Sequence, residues 1–387
     1  MRLAAFCNER HIVPTLPIEV HGDSTPRFDA VRDAFADVFT DDVEVGAALA
    51  VAIDGEVVID LWGGDANEAR SRPWQRDTIT NLYSVGKAIS AICLLRLVER
   101  GAVDLDAPVA RYWPEFAQAG KAEIPVRYLL THQAGLPGLT TELPPRAIID
   151  WDTMCEALAA HEPIWAPGER HGYHGNTQGF LIGEVVRRVD GRSLGTFLRE
   201  EIAEPAGIDF HIGLAKEDHA RVADLIPMAP RPPDQQRPPP ENPTPYPKID
   251  VDTNSEDWRS AEIPSTNGHG NARALARLYG ALAAGTDLDG VSILDPATIE
   301  AATQEQVYGE DAVLGRVTRF GLGFQLAMAE RPLGPNPDTY GHFGAGGSLG
   351  FADRDARLGL GYAMNRGRSG WQHRHVRHLI DVLYEVL

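Results

Sequence analysis

Residues 84–99 have the sequence SVGKAISAICLLRLVE, an apolar run that begins with a serine and carries a lysine three residues later. The run is long enough for roughly four helical turns, and Gly101 follows it as a helix stop signal. We therefore predict a helix from Ser84 to Glu99. Residues three apart are neighbours on a helix surface, so Ser84 and Lys87 share one face.

This spacing brings an amine within reach of a hydroxyl. A serine hydroxyl is a weak nucleophile at neutral pH and needs a neighbouring base. Burial and a helix N-terminus both disfavour the charged form of a lysine, which makes Lys87 a candidate base for Ser84. The chain uses lysine only four times against 32 arginines, and lysine, unlike arginine, can lose its proton.

Upstream of this helix the pattern indicates strands. Val45 to Ile53 and Glu56 to Trp62 are apolar, β-branched runs joined by Asp54-Gly55, a strong hairpin signal. A helix from Arg27 to Phe39 precedes them. Downstream, the middle of the chain is predicted to be mainly helical, with helices at Val126 to Thr131, Trp151 to Ala160, Thr177 to Val189 and Leu194 to Ile202.

The last third of the chain returns to strands. After a helix over 271–282, strands are predicted for 321–328, 348–353 and 358–365, followed by a closing helix over 371–387. We predict an α/β architecture in which residues 1–83 plus 265–387 form a discontinuous sheet domain. Residues 84–264 form a mainly helical domain, and its proline-rich segment 227–247 is interpreted as an extended surface loop.

Two further motifs carry candidate chemistry. Tyr173-His174-Gly175-Asn176 precedes a predicted helix, and a tyrosine in that turn could relay a proton beside a cation such as Lys87. Residues 342–347, HFGAGG, form a glycine-rich strand edge where a substrate carbonyl could approach backbone N–H groups. Taken alone, a packed tyrosine and a glycine-rich turn explain both segments equally well.

Together, however, the motifs S-x-x-K, Y-x-x-N and H-x-G in this order resemble the signature elements of serine β-lactamases and penicillin-binding proteins. Residues 129–137, LLTHQAGLP, are similar to a recurring turn of that superfamily. The resemblance extends from about Val45 to Asn365, and the chain is most similar to the esterase branch called family VIII carboxylesterases. It implies a serine β-lactamase-like fold, with an antiparallel sheet flanked by helices and an inserted all-helical domain.

The resemblance also implies roles for individual residues. Ser84 would be the nucleophile, and Lys87 the base that takes its proton, alone or with Tyr173. Tyr173 would also pass a proton to the leaving alkoxide. The backbone N–H groups of Ser84 and Ala345 would form the oxyanion hole. His342, Gly344 and Gly346 are the expected substrate-binding residues.

Two departures from the β-lactamase pattern bear on the substrate. His342 stands where β-lactamases carry the lysine of K-T-G, so a fixed cation for a substrate carboxylate is missing. Gly175 stands where class C enzymes have asparagine. We therefore expect cleavage of small carboxylic esters with weak β-lactam hydrolysis. The alternatives are a β-lactamase, a D-Ala-D-Ala peptidase or an amide hydrolase on the same residues, or a catalytically silent binding protein.

Other candidate sites are weaker. Residues 346–350, GGSLG, match the G-x-S-x-G nucleophile elbow, but a strand-like run follows where that motif needs a helix, so Ser348 is not the expected nucleophile. His373, His375 and His378 lack an acidic neighbour, and no metal site or cofactor is predicted. His132 is interpreted as a structural turn residue.

Composition narrows the class of partners. A formal charge of −19 repels nucleic acid and anionic lipid. No window approaches ~18 consecutive apolar residues, and the N-terminus lacks the apolar core of a secretory signal, so we expect a cytoplasmic protein. Three widely spaced cysteines (Cys7, Cys93 and Cys155) argue against a disulfide framework. The expected partner is a small-molecule ester, and the sequence is compatible with a homo-oligomer.

Overall fold

A computed structural model of the chain describes residues 18–227, 243–368 and 374–387. The strands, numbered along the chain, are β1 (Val20–Ser24), β2 (Gly46–Ile53), β3 (Glu56–Gly64), β4 (Thr80–Asn81), β5 (Phe210–His211), β6 (His269–Gly270), β7 (Val307–Asp311), β8 (Arg316–Phe320), β9 (Gln325–Leu326), β10 (Tyr340–Phe343), β11 (Leu349–Asp353) and β12 (Leu358–Met364). Within the described residues, nine of them form one antiparallel sheet in the order β1-β3-β2-β12-β11-β10-β9-β8-β7. Strands β4, β6 and β5 form a second, small sheet.

The helices lie on both faces of the large sheet and beside it. They are α1 (Asp29–Ala36), α2 (Gly86–Glu99), α3 (Arg127–Leu130), α4 (Trp151–Ala160), α5 (Thr177–Asp190), α6 (Leu194–Leu198), α7 (Glu256–Ser260), α8 (Ala272–Ala284), α9 (Pro296–Thr303) and α10 (Arg374–Glu385). This arrangement confirms the predicted fold class of an antiparallel sheet flanked by helices.

The sheet is covered on both faces, which explains the composition of its central strands. Helix α8 packs against β2, β11 and β12 on one face, and α1 and α10 lie together on the other. Strand β2 is buried along almost its whole length, and its sequence GAALAVAI is apolar at every position. A strand with solvent on one side would instead alternate apolar and polar residues.

The helices of the middle segment pack around α5, which contacts α2, α3 and α4. One hydrophobic cluster continues from these helices to α8 on the sheet, so the two parts share a core. The small sheet connects the segment before α2 with the segment before α8. The domain boundaries at residues 84 and 264 stay a prediction. No helix in the described ranges is both long enough and apolar enough to cross a membrane.

Three local predictions are wrong. The strand predicted over 321–328 exists only as β9, because Gly323 adopts a φ of +85° and the Gly321 N–H closes a turn onto Phe324 O. The helix predicted over 194–202 ends as an α-helix at Leu198 and continues as a π-helical turn, Arg199–Ala203. The predicted helix start at Ser84 is also displaced, since α2 begins at Gly86.

Some predictions fall wholly or partly outside the described residues. These are the proline-rich loop over 228–242, the start of the closing helix over 371–373, Cys7 and His373. Within the described ranges, Cys93 and Cys155 are buried free thiols.

Candidate active site

A short 3-10 turn, Tyr83–Val85, places Ser84 directly before α2. Tyr83 adopts a left-handed φ of +47°, a conformation that costs a non-glycine residue roughly 1–2 kcal/mol. The Asn81 side chain offsets part of this cost, because its Oδ1 accepts a hydrogen bond of 3.1 Å from the Tyr83 N–H. Ser84 is therefore presented on a strained turn that a neighbouring side chain holds in place.

Lys87 lies one residue into α2, and its amine is buried, with 1% of the residue exposed. Its Nζ lies 3.3 Å from Ser84 Oγ, 2.5 Å from the carbonyl oxygen of Gly175 and 3.0 Å from that of Ser265. The Ser84 and Lys87 pair predicted from spacing is thus brought into contact. The two carbonyl contacts are not visible in any sequence motif.

Gly86 explains how α2 reaches the Ser265 carbonyl. A Cβ atom built at Gly86 would lie 2.4 Å from Pro264 O, closer than real Cβ atoms come to an oxygen. The glycine of S-V-G-K therefore allows the helix to lie directly against the segment that supplies one of the contacts to Lys87.

The hydrogen-bond partners of Lys87 define its protonation state. Burial lowers the pKa of Lys87 well below its ordinary value, because the ammonium loses its hydration. A neutral amine has two N–H groups and one lone pair. Carbonyl oxygens can only accept, so Gly175 and Ser265 take the two N–H groups, and the lone pair remains for the Ser84 hydroxyl.

A second buried lysine gives a useful contrast. Lys121 Nζ contacts three backbone carbonyl oxygens and no hydroxyl among its listed bonds, namely those of Gln118 (2.9 Å), Ala159 (2.9 Å) and His161 (2.5 Å). Three acceptors require three N–H donors, so Lys121 is held as an ammonium. Lys87 differs from it in facing a group that can donate a proton.

Tyr173 completes the set of predicted polar side chains. Its ring centroid lies 4.8 Å from Lys87 Nζ, and its hydroxyl is hydrogen-bonded with the Ser84 side chain. Burial raises the pKa of Tyr173 above its ordinary value, the Ser84 contact opposes this, and the charge of Asp311 adds to it. The phenol is therefore protonated at neutral pH, which makes Tyr173 a proton donor and Lys87 the better base.

The segment around Tyr173 also shows the consequence of the Gly175 departure. Where class C enzymes place an asparagine side chain, this chain contacts Lys87 through the main-chain carbonyl of Gly175. Asn176, one residue later, instead accepts a hydrogen bond of 2.9 Å at its Oδ1 from Thr266 Oγ1.

Three rings surround the Tyr173 side chain. His132 lies 4.9 Å from it between centroids, Phe320 is stacked at 6.2 Å, and His342 lies at 6.2 Å. His132 adopts a φ of +61°, as expected for a turn residue, but its ring also packs on the candidate proton donor. Its place in the LLTHQAGLP turn was the only sequence signal for this contact.

His342 is buried and neutral. Burial lowers its pKa to about 3, with a smaller contribution from the positive charge of Lys87. Its Nδ1–H donates to Phe343 O at 2.8 Å, so Nε2 is a bare acceptor, without a hydrogen-bond partner in the described part of the chain. A neutral acceptor cannot replace the cation that binds a substrate carboxylate.

The turn after β10 lies against the segment that leads into Ser84. A Cβ atom built at Gly344 would lie 1.9 Å from Ser348 Oγ and 2.3 Å from Leu82 O, so only glycine permits this approach. Ser348 is fully buried, and its hydroxyl donates to Leu82 O at 2.9 Å. The serine of G-x-S-x-G therefore connects the two segments as a structural hydrogen bond.

The same turn contains the second predicted oxyanion donor. Ala345 is exposed, and Gly346 beside it is buried. Within the described residues, neither the Ala345 N–H nor the Ser84 N–H donates to another backbone group. Free N–H groups are what an oxyanion hole requires.

Comparisons with known proteins agree with this geometry. The family model described as Beta-lactamase matches residues 35–385. The chain is 34% identical to "Esterase/beta-lactamase LipL" of Mycobacterium tuberculosis, over 92% of this chain and 85% of that protein. The crystal structure of a family VIII carboxylesterase is 42% identical with a TM-score of 0.88, covering 95% of this chain and all of that one. A penicillin-binding protein homologue from Caulobacter crescentus is 43% identical with the same TM-score and the same coverage. The chain belongs to the beta-lactamase family of serine hydrolases.

Proposed function

We propose that this protein is a carboxylesterase that cleaves small esters through an acyl-enzyme on Ser84. The observation that carries the proposal is the neutral Lys87 amine, whose two N–H groups are bound by carbonyls and whose lone pair faces the Ser84 hydroxyl. This arrangement supplies the base that a serine nucleophile needs.

In the first half of the reaction, Ser84 Oγ attacks the ester carbonyl carbon while its proton moves to Lys87 Nζ. The carbonyl oxygen becomes an oxyanion, which the N–H groups of Ser84 and Ala345 stabilise by ~3 kcal/mol for each donor. The bond to the alkoxide then breaks, Tyr173 donates its proton to the leaving oxygen, and Lys87 returns a proton to Tyr173. An acyl group remains on Ser84, and the alcohol leaves.

In the second half, water attacks the acyl carbon and gives a proton to the Lys87 amine. The bond from the acyl carbon to Ser84 Oγ breaks, the proton returns to Ser84, and the acid is released. The free enzyme is regenerated without any other reactant.

The preference for esters is supported by His342. A β-lactam or a D-Ala-D-Ala peptide carries a carboxylate, and the neutral, buried imidazole offers it no charge. The names of the relatives support the same conclusion, since they include an esterase/beta-lactamase and a carboxylesterase. Weak β-lactam hydrolysis is expected to accompany esterase activity, because both use the same acyl-enzyme chemistry.

The test is hydrolysis of p-nitrophenyl acetate and nitrocefin by the wild type and by two matched serine variants, Ser84→Ala and Ser348→Ala. We expect Ser84→Ala to abolish ester hydrolysis. Ser348→Ala removes one hydrogen bond and is expected to retain activity within about tenfold. A phosphonate probe should add one adduct, on Ser84.

The proposal fails if Ser348→Ala alone is inactive, because Ser348 would then be the nucleophile. Turnover of nitrocefin faster than the ester would instead identify a β-lactamase. A wild type that neither hydrolyses esters nor takes up the phosphonate would be a binding protein.

A further inference from the structure

The hairpin formed by β7 and β8 ends beside Tyr173. Asp311, the last residue of β7, is fully buried. Its Oδ1 accepts hydrogen bonds from three backbone N–H groups, those of Tyr173 (3.0 Å), Val313 (2.9 Å) and Leu314 (2.8 Å). Its Oδ2 accepts a fourth from Thr318 Oγ1 at 3.2 Å. One carboxylate therefore closes its own hairpin turn and binds the main chain of a residue 138 positions away.

Two more contacts join the hairpin to the same segment. The Ala312 N–H donates to His171 O at 3.1 Å, and His171 Nε2 lies 2.9 Å from Thr318 Oγ1. Since the Thr318 hydroxyl donates to Asp311, its oxygen accepts the proton of His171 Nε2. The hairpin thus holds residues 171–173 at three points.

The neighbouring N–H groups are bound from elsewhere. Gly172 N donates to His132 O at 3.0 Å, and His174 N donates to His132 Nδ1 at 3.1 Å. Both bonds come from the turn after α3, while the Tyr173 N–H between them points to the hairpin. The position of the Tyr173 ring therefore depends on two structural units, and Asp311 is the charged contact from one of them.

We propose that Asp311 is a positioning residue, whose carboxylate fixes the main chain at Tyr173 so that the phenol stays at the Ser84–Lys87 pair. The inference rests on the proposed role of Tyr173 as proton donor. A hydrogen bond to a carboxylate is roughly twice as strong as a neutral one. A misplacement of about 1 Å at a reacting group costs on the order of 100-fold in rate.

The test compares Asp311→Ala and Asp311→Asn with a matched control, Asp353→Ala. Asp353 is also fully buried and also closes a turn, accepting from Ala356 N at 3.1 Å, from Asn336 Nδ2 at 2.9 Å and from the Tyr384 hydroxyl. It ends β11 about 13 Å along the strand from Leu349, at the opposite end from the Gly344 turn.

We expect Asp311→Ala to lower kcat for p-nitrophenyl acetate by about 10- to 100-fold, with a smaller change in KM. Asp311→Asn is expected to recover most of kcat, because the amide oxygen can accept the same three N–H bonds. Asp353→Ala is expected to lower the melting temperature and to leave kcat of the folded protein unchanged.

A second measurement is independent of ester hydrolysis. Amide hydrogen exchange at Tyr173 should become at least about tenfold faster in Asp311→Ala and stay as in the wild type in Asp353→Ala. If the wild type does not hydrolyse esters, the proposed function fails, while this measurement still tests the contact to Tyr173.

The inference is wrong if folded Asp311→Ala keeps the wild-type kcat and the wild-type exchange at Tyr173. It is also wrong if Asp311→Ala and Asp353→Ala lower kcat equally. If Asp311→Ala does not fold, Thr318→Val removes the hydroxyl between Asp311 and His171 and should lower kcat about 3- to 10-fold. An unchanged kcat in that variant would overturn the inference.

Discussion

His269 gives a test of how strongly the interior resists a charge. It lies in the short strand β6, with 1% of the residue exposed. Burial, together with the positive charge of Arg259, lowers its pKa to about 3. A histidine in an unfolded chain has a pKa near ~6.5. The folded protein therefore keeps this imidazole neutral over a range in which the unfolded chain takes up a proton.

The sign of the effect follows from proton linkage. Between pH 6.5 and 3 the unfolded state binds more protons at this site, so the free energy of unfolding falls as the pH falls. At pH 5.0 the gap is about 1.5 pH units, and one unit is worth about 1.36 kcal/mol, which gives about 2 kcal/mol. We predict that His269→Leu loses about 2 kcal/mol less stability than the wild type between pH 7.5 and pH 5.0.

The assay is urea denaturation followed by tryptophan fluorescence, for both proteins at both pH values. Any change in packing caused by leucine is the same at the two pH values and cancels in the comparison. The other buried groups with shifted pKa values, such as His174 and Glu44, are present in both proteins and cancel as well. Equal losses in the two proteins, within about 0.5 kcal/mol, would refute the reasoning.

Three further predictions concern other buried charged groups. Lys87→Arg should lower kcat/KM for p-nitrophenyl acetate at least about 1000-fold in a folded protein, because arginine offers no lone pair; an active variant would exclude Lys87 as the base. Lys121→Met should cost about 3 kcal/mol in urea denaturation by leaving three carbonyls unpaired, with kcat unchanged. Burial raises the pKa of Glu44 to about 8, so protonation stabilises the folded state at low pH and this advantage, about 3 kcal/mol, is lost between pH 5 and 8. Glu44→Gln should lack that loss, and an identical pH profile would contradict the assignment.

The elements that could be predicted from sequence are those with local signals. The β2–β3 hairpin follows from Asp54-Gly55, and α4 and α5 follow from their apolar periodicity. Strands β7 and β8 were missed because they lie at the edge of the sheet, half-exposed, with charged residues and a glycine that lower strand propensity. Their conformation depends on pairing with each other and on contacts with the Tyr173 segment, which no short window records.

The candidate site divides in the same way. Ser84 and Lys87 are three residues apart, so their contact is a local consequence of helical geometry. Tyr173 and the turn after β10 were located only through their resemblance to a known pattern. Asp311 could not be found, because it is one of 55 acidic residues and its distinguishing feature is a contact across the fold.

Lys87 is held by main-chain oxygens, and this has a consequence for directed evolution of the enzyme. A change of side chain at position 175 or 265 cannot delete the carbonyl that binds the amine. At Gly175, moreover, an added Cβ would meet no atom within 4 Å. A library of side chains at position 175 can therefore reshape the wall beside the nucleophile while the proton acceptor stays fixed. Reactivity is encoded in the path of the chain, and selectivity is open to mutation.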